Sequence, residues 1–189
     1  MTPADARLLF SQIHPDFFAG QAIRTLPPDA VFDEMILDLK AFHHSADSFP
    51  CPSGITFGFL LPEHMDGLVR SVRSVDPGWV QYFTQPSDIF CAFEGNEILS
   101  FCILDSMGTV TLSHGTFRIA GPGCVGTIPS ARRRGIGLAL ICRATALLQS
   151  QGYDYSYIHY TTVSQWYAKL GYQTILRWNA SGLIPAGND

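Results

Sequence analysis

The sequence lacks the marks of a membrane-spanning or secreted protein. Gly, Pro or charged residues break every apolar run well before the roughly 20 residues that a membrane-spanning helix needs. The first residues, Met1 to Leu9, include Asp5 and Arg7 and have no apolar signal-peptide core. We therefore predict a cytoplasmic protein that makes no membrane contact.

Paired cysteines and metal-ligand spacings are also missing. The five cysteines are odd in number and none forms a CxxC pair, and four of them lie in apolar stretches, where Cys is usually a small buried hydrophobe. The pair His43–His44 has no third ligand at a metal-binding distance in the sequence. We predict that the chain holds no metal ion. The cysteines are Cys51, Cys91, Cys102, Cys124 and Cys142.

Basic charge is scarce but concentrated. The 12 Lys and Arg residues against 16 Asp and Glu give a net charge of −4, which argues against a nucleic-acid binder. Three of those 12 basic residues are consecutive, Arg132 to Arg134, which suggests a small anionic ligand. With 189 residues, 47% of them hydrophobic, the chain can build one domain with its own core, with or without an extension.

The first fifty residues carry the least decisive pattern. Val31 to Phe42 fits a helix by composition and a strand by the alternation of its apolar residues, and the sequence leaves both open. Ser45 to Gly54 contains two prolines and a glycine and is predicted to be an irregular link. We place the domain boundary there. Residues 1–54 would be an extension packed on the core or swapped with it, and residues 55–189 the core domain.

Beyond the link, strand and helix patterns alternate. The apolar runs Asp88 to Phe93 and Ile98 to Leu104 flank Gly95-Asn96 and predict a hairpin. This order predicts an α/β or α+β domain with a mixed sheet. The other predicted strands are Ile55 to Leu61, Thr109 to Ile119 (ended by Gly121-Pro122-Gly123), Cys124 to Ile128, Tyr155 to Tyr160 and Gln173 to Trp178; the predicted helices are Pro62 to Val75, Trp79 to Phe83, Leu138 to Gln149 and Val163 to Leu170.

The turn between the strand Cys124 to Ile128 and the helix from Leu138 has the chemistry of a phosphate site. A helix N-terminus presents unpaired N–H groups and a positive dipole end. Gly135 and Gly137 let the backbone approach a ligand closely, and guanidinium groups match phosphate geometry. No Gly-Lys-Ser/Thr follows, which excludes a Walker loop, and the dinucleotide fingerprint lacks its third glycine.

Two motifs in this order resemble a known family. Arg132-x-x-Gly135-x-Gly137, after a strand and Pro129, resembles the acyl-CoA motif of the GNAT superfamily of N-acetyltransferases. The segment Gln165 to Tyr172 (QWYAKLGY) is similar to that family's downstream "FYEKLGF" segment, and the resemblance covers about Ile55 to Trp178. Gly123 to Thr127 and Ile158 to Thr161 are similar to a bacterial and fungal branch of uncharacterised members of this family. The resemblance implies a mostly antiparallel mixed sheet flanked by helices, with a splayed strand pair at the acyl-CoA site.

The resemblance also implies a role for each matching residue. Acetyl-CoA would be the co-substrate. The backbone from Arg132 to Leu138 would hold its pyrophosphate, and Val125 to Thr127 its pantetheine arm. Tyr167 would protonate the departing thiolate, which suits a phenol beside a thiol leaving group. The pyrophosphate residues are Arg132, Arg133, Arg134, Gly135, Ile136, Gly137 and Leu138, and those for the pantetheine arm are Val125, Gly126 and Thr127.

The general base is the weakest part of the resemblance. The strand Cys124 to Ile128 carries no Glu, where several relatives keep the base. His159, on the next strand, is the preferred candidate, because an unperturbed imidazole titrates near working pH. The alternatives are His114, Glu63 and Asp105.

Three functions remain open at this stage. The chain is an N-acetyltransferase that works through direct attack of an amine in a ternary complex, a non-catalytic acyl-CoA-binding module or sensor, or a binder of another phosphate ligand. The acidic balance favours a cationic acceptor, a small amine or a peptide N-terminus. The sequence does not distinguish a monomer from a homodimer, and it does not name the acceptor.

Overall fold

The structure, a computed structural model, describes residues 1–185 except Pro28 and Ala46. Within them, eight strands form one sheet in the order β2-β3-β4-β5-β6-β1-β7-β8. No helix among these residues is long and apolar enough to cross a membrane. The helices are α1 (Pro3–Ile13), α2 (Gln21–Arg24), α3 (Met65–Val75), α4 (Ile136–Ser150) and α5 (Ser164–Ala168). The strands are β1 (Phe32–Asp38), β2 (Ile55–Phe59), β3 (Ile89–Glu94), β4 (Glu97–Leu112), β5 (Gly115–Thr127), β6 (Tyr155–Thr161), β7 (Gln173–Asn179) and β8 (Gly182–Ile184).

The chain divides into two compact units. The first unit comprises residues 1–42, 107–120 and the described part of 152–189, and the second comprises residues 43–106 and 121–151. The predicted boundary at residue 54 stays a prediction. The predicted mixed, mostly antiparallel sheet with helices is confirmed: β1 pairs antiparallel with β6 and β7, as do β2 with β3, β3 with β4 and β7 with β8, whereas β5 and β6 are parallel.

In the first unit, β1 lies between β6 and β7 and pairs antiparallel with both. This settles the open segment Val31 to Phe42 as a strand, followed by one short 3₁₀ turn at Leu39–Ala41. Four successive residues of β1, Glu34 to Leu37, are buried, which explains why the alternation was blurred. Helix α1 starts at a Thr2 cap whose side chain accepts from the Asp5 N–H.

In the second unit, the predicted β3–β4 hairpin is confirmed, with Gly95 in the left-handed region at φ 59°. Helix α3 follows a 3₁₀ turn that starts at Pro62, and its Leu68 and Val72 are fully buried. They share an apolar cluster with Cys91 of β3 and Phe101 of β4. Burying such side chains removes apolar surface from water, at about 25 cal/mol per Å².

The predicted course of the chain between Thr109 and Ile128 is wrong. Strand β4 runs on to Leu112, a two-residue turn at Ser113-His114 follows, and β5 continues without a break through Gly121-Pro122-Gly123 to Thr127. These glycines and the proline lie inside a strand rather than at its end. The short predicted strand Cys124 to Ile128 is therefore the last part of a long one.

The remaining elements largely match their predictions. Helix α4, strand β6, helix α5 and strand β7 lie where the pattern predicts them, whereas β8 was not predicted. Three cysteines of the apolar runs are buried, Cys91, Cys102 and Cys142, and all five are free thiols. Cys124 is half-buried, and burial together with the Asp76 carboxylate raises the pKa of its thiol to about 11, so it is neutral at pH 7.

Candidate functional site

The predicted phosphate turn is the start of helix α4, in the second unit. The helix begins at Ile136, after Gly135 in the left-handed region. Its first backbone bond to the turn runs from the Ala139 N–H to the Gly135 carbonyl, at 3.0 Å. No described residue accepts a hydrogen bond from the N–H groups of Ile136, Gly137 or Leu138. These are the donors that suit an anionic oxygen at a helix N-terminus.

The structure shows why residue 135 is a glycine, which the sequence did not reveal. Its φ is +81°, and a Cβ built on it would lie 2.4 Å from the Pro50 carbonyl oxygen. The irregular link predicted at Ser45 to Gly54 therefore packs against this turn through backbone. A hydrogen bond between Cys142 Sγ and the Ser45 carbonyl, at 3.3 Å, ties the same link to α4. The glycine is required by the protein's own packing, whatever ligand the turn holds.

The three arginines of the turn are not equivalent. Arg134 donates to Glu94 at 2.7 Å, and this hydrogen bond raises the pKa of its guanidinium further. Arg132 donates through Nε to the Thr127 carbonyl at 3.1 Å. Arg133 is exposed with φ +62°, and no described residue pairs with its side chain. Of the three, Arg133 has the charge most available to a ligand.

The end of β5 runs into the turn with a distorted backbone. Cys124 has φ +47°, an uncommon conformation for a residue with a side chain. Two residues on, Gly126 sits against Phe101, and a Cβ there would lie 2.4 Å from the ring. The buried Ser100 hydroxyl donates to the Gly126 carbonyl at 2.7 Å. The segment predicted to hold the pantetheine arm therefore packs against β4 and is hydrogen-bonded to it.

Tyr167, the predicted acid, lies in the first unit. It sits on the short helix α5 and is buried, 6% exposed. Its ring meets Trp166 edge-on at 4.8 Å and lies 5.9 Å from Tyr172. The helix ends at Ala168, two residues earlier than predicted, and Gly171, with φ +95°, lies in the turn that follows it. The structure thus places the aromatic part of the Gln165 to Tyr172 motif in a packed environment.

His159, the predicted base, has a partner that the sequence analysis missed. Its Nδ1 lies 3.0 Å from both carboxylate oxygens of Glu34. Glu34 lies on β1 and is fully buried. Three further groups of the described chain donate to it: the Tyr157 hydroxyl, the Trp178 Nε1–H at 2.6 Å and the Tyr160 N–H at 3.3 Å. We call Glu34 and these four partners the Glu34 cluster.

A second histidine lies against the Glu34 cluster. His14, just after α1, stacks on His159 with ring centroids 3.8 Å apart and 25° between the planes. Burial, reinforced by His159, lowers the pKa of His14 to about 4. Its Nε2 is buried and has no hydrogen-bond partner in the described chain. His14 is therefore a neutral ring at pH 7.

His14, Glu34 and His159 are ligand types that zinc takes, with ligand atoms within 4.8 Å of one another. Ring nitrogens bind a metal with lone pairs that lie in the ring plane, and two stacked rings do not aim such lone pairs at one point. Glu34 already accepts from four donors. The arrangement is that of a buried carboxylate with four hydrogen-bond partners, and the predicted absence of a metal stays a prediction.

The other candidate bases lie elsewhere. His114 lies 3.6 Å from Asp5, whose pKa is lowered to about 2 by the Ser113 N–H and by the hydroxyls of Thr2 and Ser113. Glu63 is exposed in the 3₁₀ turn before α3, and Asp105 is exposed on β4. None of them belongs to the Glu34 cluster.

A sequence signal for Glu34 did exist. It is a carboxylate inside an otherwise apolar strand, and a fully buried charge needs several hydrogen-bond partners. The partners lie more than a hundred residues away along the chain, so the pattern could not name them.

The comparisons with known proteins point to one family. Residues 85–174 match the family model of the acetyltransferase (GNAT) domain. No curated protein matches the chain. The solved structures named below are each under 25% identical to this chain, so they show a similar fold.

The first of these is a fungal multi-domain GH3 β-N-acetylglucosaminidase with a GCN5-related glucosamine N-acetyltransferase region (TM-score 0.64, 22% identity, covering 77% of this chain and 20% of that one). A GCN5-related N-acetyltransferase from Sphaerobacter thermophilus gives a TM-score of 0.57 at 16% identity, covering 80% and 50%. Another from Kribbella flavida gives 0.53 at 14% identity, covering 84% and 60%. The chain thus spans a fifth to three fifths of these structures.

Proposed function

We propose that this chain transfers an acetyl group from acetyl-CoA to a primary amine, because residues 85–174 match the family model of the GNAT acetyltransferase domain. The observation that carries the proposal is the start of α4, where three consecutive N–H groups have no acceptor in the described chain. They can bind the pyrophosphate of CoA, with the charge of Arg133 beside them. The reaction is direct attack of the amine on the thioester, without a covalent enzyme intermediate.

The remaining sequence predictions enter the proposal unchanged. Val125, Gly126 and Thr127 hold the pantetheine arm, and a backbone N–H there polarises the acetyl carbonyl. The Thr127 carbonyl already accepts from Arg132 and is not offered to the arm. Tyr167 is the acid for the thiolate and His159 the base for the amine.

The acceptor we propose is a small cationic amine or a peptide N-terminus, in keeping with the net charge of −4. An amino sugar is the first to try, because the fungal structure of similar fold contains a region described as a glucosamine N-acetyltransferase. A non-catalytic acyl-CoA-binding module is the alternative, and the two differ only in turnover.

Ligand-dependent melting tests the donor. A ligand at 100 times its Kd stabilises a protein by about 2.7 kcal/mol, which for a chain of this size raises Tm by roughly 5–10 °C. We expect that rise with acetyl-CoA and none with ATP or NAD. Thiol release with glucosamine, a polyamine and a peptide then separates the enzyme from the binding module. Equal shifts with all three nucleotides would contradict the acetyl-CoA proposal, and binding with no amine ever acetylated would contradict the transferase proposal.

Replacing Tyr167 by Phe tests the proposed acid. We expect turnover to fall by about 10- to 100-fold with acetyl-CoA affinity unchanged, since only the proton donor is lost. The matched control is Tyr172→Phe, because Tyr172 is a buried neighbour that shares a 2.7 Å hydrogen bond with Ser156. That variant should lose stability and keep its turnover. Unchanged turnover in Tyr167→Phe would remove Tyr167 from the acid role.

A further inference from the structure

The Glu34 cluster owes its geometry to an irregularity in the sheet. Asp33 of β1 pairs with Thr161 of β6, and Met35 pairs with Ile158. Glu34 alone therefore lies opposite two residues of β6, His159 and Tyr160. This is a β-bulge, a feature that re-aims side chains and is common beside active sites.

The bulge has a backbone cost. Tyr160 adopts φ +63°, a conformation uncommon for an aromatic residue. In return, both bulged residues reach Glu34: His159 through its ring and Tyr160 through its N–H. On the other side of β1, the pairing with β7 also shifts between Glu34 and Met35. The sheet is thus irregular on both sides of one buried carboxylate.

The carboxylate fixes the proton on His159. An ionised carboxylate only accepts hydrogen bonds, so the Nδ1 that faces it at 3.0 Å must carry the hydrogen. In the neutral ring, Nε2 then holds the lone pair. No described residue pairs with this nitrogen, and 27% of the side chain is exposed. The imidazole is therefore partly open to solvent.

The groups around His159 allow Nε2 to accept a proton. Glu34 of β1 supplies the only negative charge in the Glu34 cluster, and it stabilises an imidazolium once formed. Burial and the adjacent carboxylate raise the pKa of Tyr157 of β6, so that phenol stays neutral. Burial also raises the pKa of Tyr160. His14 after α1 is neutral as well and covers one ring face of His159.

We infer that Glu34 is the positioning residue for the general base: it holds His159 in the Nδ1–H form, so that Nε2 takes a proton from the acceptor amine. This inference rests on the proposed transferase function. Nε2 first accepts a proton from the acceptor ammonium, and the freed nitrogen lone pair forms the N–C bond at the acetyl carbonyl. The C–S bond then breaks, its electron pair leaves on sulfur, and the thiolate takes a proton from Tyr167. The nitrogen bonded to the acetyl carbon still carries two hydrogens and gives one of them to the tyrosinate, which restores the acid. His159 returns its proton to water, so one proton is released in each turnover.

The first experiment needs no substrate. Nitrogen-15 NMR of the full chain, recorded at a pH at which the ring is neutral, should show His159 with a protonated Nδ1 and an unprotonated Nε2. The opposite tautomer would overturn the inference. Because no acetyl transfer is involved, this result is independent of whether the transferase proposal stands.

The second experiment uses variants and the thiol-release assay. We expect Glu34→Gln to lower kcat by about 10- to 100-fold with acetyl-CoA affinity unchanged. In the nitrogen-15 spectrum of this variant the Nε2–H tautomer should appear, because an amide no longer requires the hydrogen to be on Nδ1. Asp33→Asn is the matched control. It removes a carboxylate from the same strand, one that pairs with Arg177 at 3.0 Å, and should leave both kcat and the tautomer unchanged. A Glu34→Gln variant that keeps the Nδ1–H tautomer alone and the wild-type kcat would overturn the positioning role.

A third variant covers the case in which Glu34→Gln does not fold. His159→Ala removes a partly exposed side chain, and we expect at least a 10-fold loss of kcat that millimolar imidazole partly restores. Rescue by imidazole supports a proton-accepting role, which a structural role would not produce. Wild-type turnover in His159→Ala, or a loss that imidazole does not relieve, would overturn the inference. If the wild-type chain acetylates no amine, the transferase proposal fails, while the NMR result still decides the geometry.

Discussion

Replacing Gly135 by Ala should cost the protein roughly 2–4 kcal/mol of stability and at least 10-fold in acetyl-CoA affinity. Two effects add. The residue sits at φ +81°, where a side chain is strained, and its Cβ would lie 2.4 Å from the Pro50 carbonyl oxygen. A backbone oxygen cannot rotate away, so the link or the turn must move. Thermal melting measures the first loss and titration calorimetry with acetyl-CoA the second.

Gly54→Ala is the matched control for this variant. Gly54 lies on the same link with φ +88°, but a Cβ there meets no described atom within 4 Å. It carries the backbone strain without the close contact, so we expect a loss of about 1–2 kcal/mol and no change in affinity. Equal losses in the two variants would show that the Pro50 contact does not constrain the turn. A destabilised Gly135→Ala that still binds acetyl-CoA normally would count against the proposed phosphate site.

Gly126→Ala should destabilise the chain by about 1–3 kcal/mol through overpacking. The added methyl would meet the Phe101 ring at 2.4 Å, and that ring is fully buried and packed edge-on against Phe83. The ring cannot swing into solvent, so either β5 or the apolar cluster of the second unit must shift. Chemical denaturation with a fluorescence readout measures the loss.

Two further variants test whether the loss comes from the contact with Phe101. Gly123→Ala, on the same strand, adds a methyl that meets no described atom within 4 Å and should be nearly neutral. Phe101→Leu costs stability by itself, but combined with Gly126→Ala it should cost less than the sum of the two single losses, because the smaller side chain makes room. Strict additivity in this cycle would mean that the two residues do not contact each other in solution.

The turn before α4 was predictable because its signals are local. A strand, two glycines within three residues and an amphipathic helix stand next to one another in the chain, and the backbone geometry follows from those neighbours. The role of each arginine was not predictable, since Arg134 is paired with Glu94, forty residues away. The need for a glycine at position 135 was not predictable either, because it comes from the Pro50 carbonyl, which lies outside the motif.

The β5 error has a physical cause. Gly-Pro-Gly usually ends a strand, because proline lacks a donor and glycine adds backbone freedom. Here Gly121 and Pro122 are buried in the middle of a 13-residue strand, where tertiary packing overrides local preference. The true turn, Ser113-His114, has no strong turn signal. The segment of β1 stayed open for another reason: its composition also fits a helix, and a strand with four successive buried residues has no polar face to decide between the two.

The position of β1 has a consequence for the order in which the chain folds. The β3–β4 hairpin joins neighbours in sequence, and its contacts can form as soon as both strands exist. The Trp178 to Glu34 hydrogen bond instead closes a separation of 144 residues, and β1 has no partner strand until β6 and β7 have been synthesised. Contacts of such long range slow folding, because chain entropy is lost before they form. During synthesis on the ribosome, we therefore expect the centre of the first unit, with the bulge at Glu34, to assemble last.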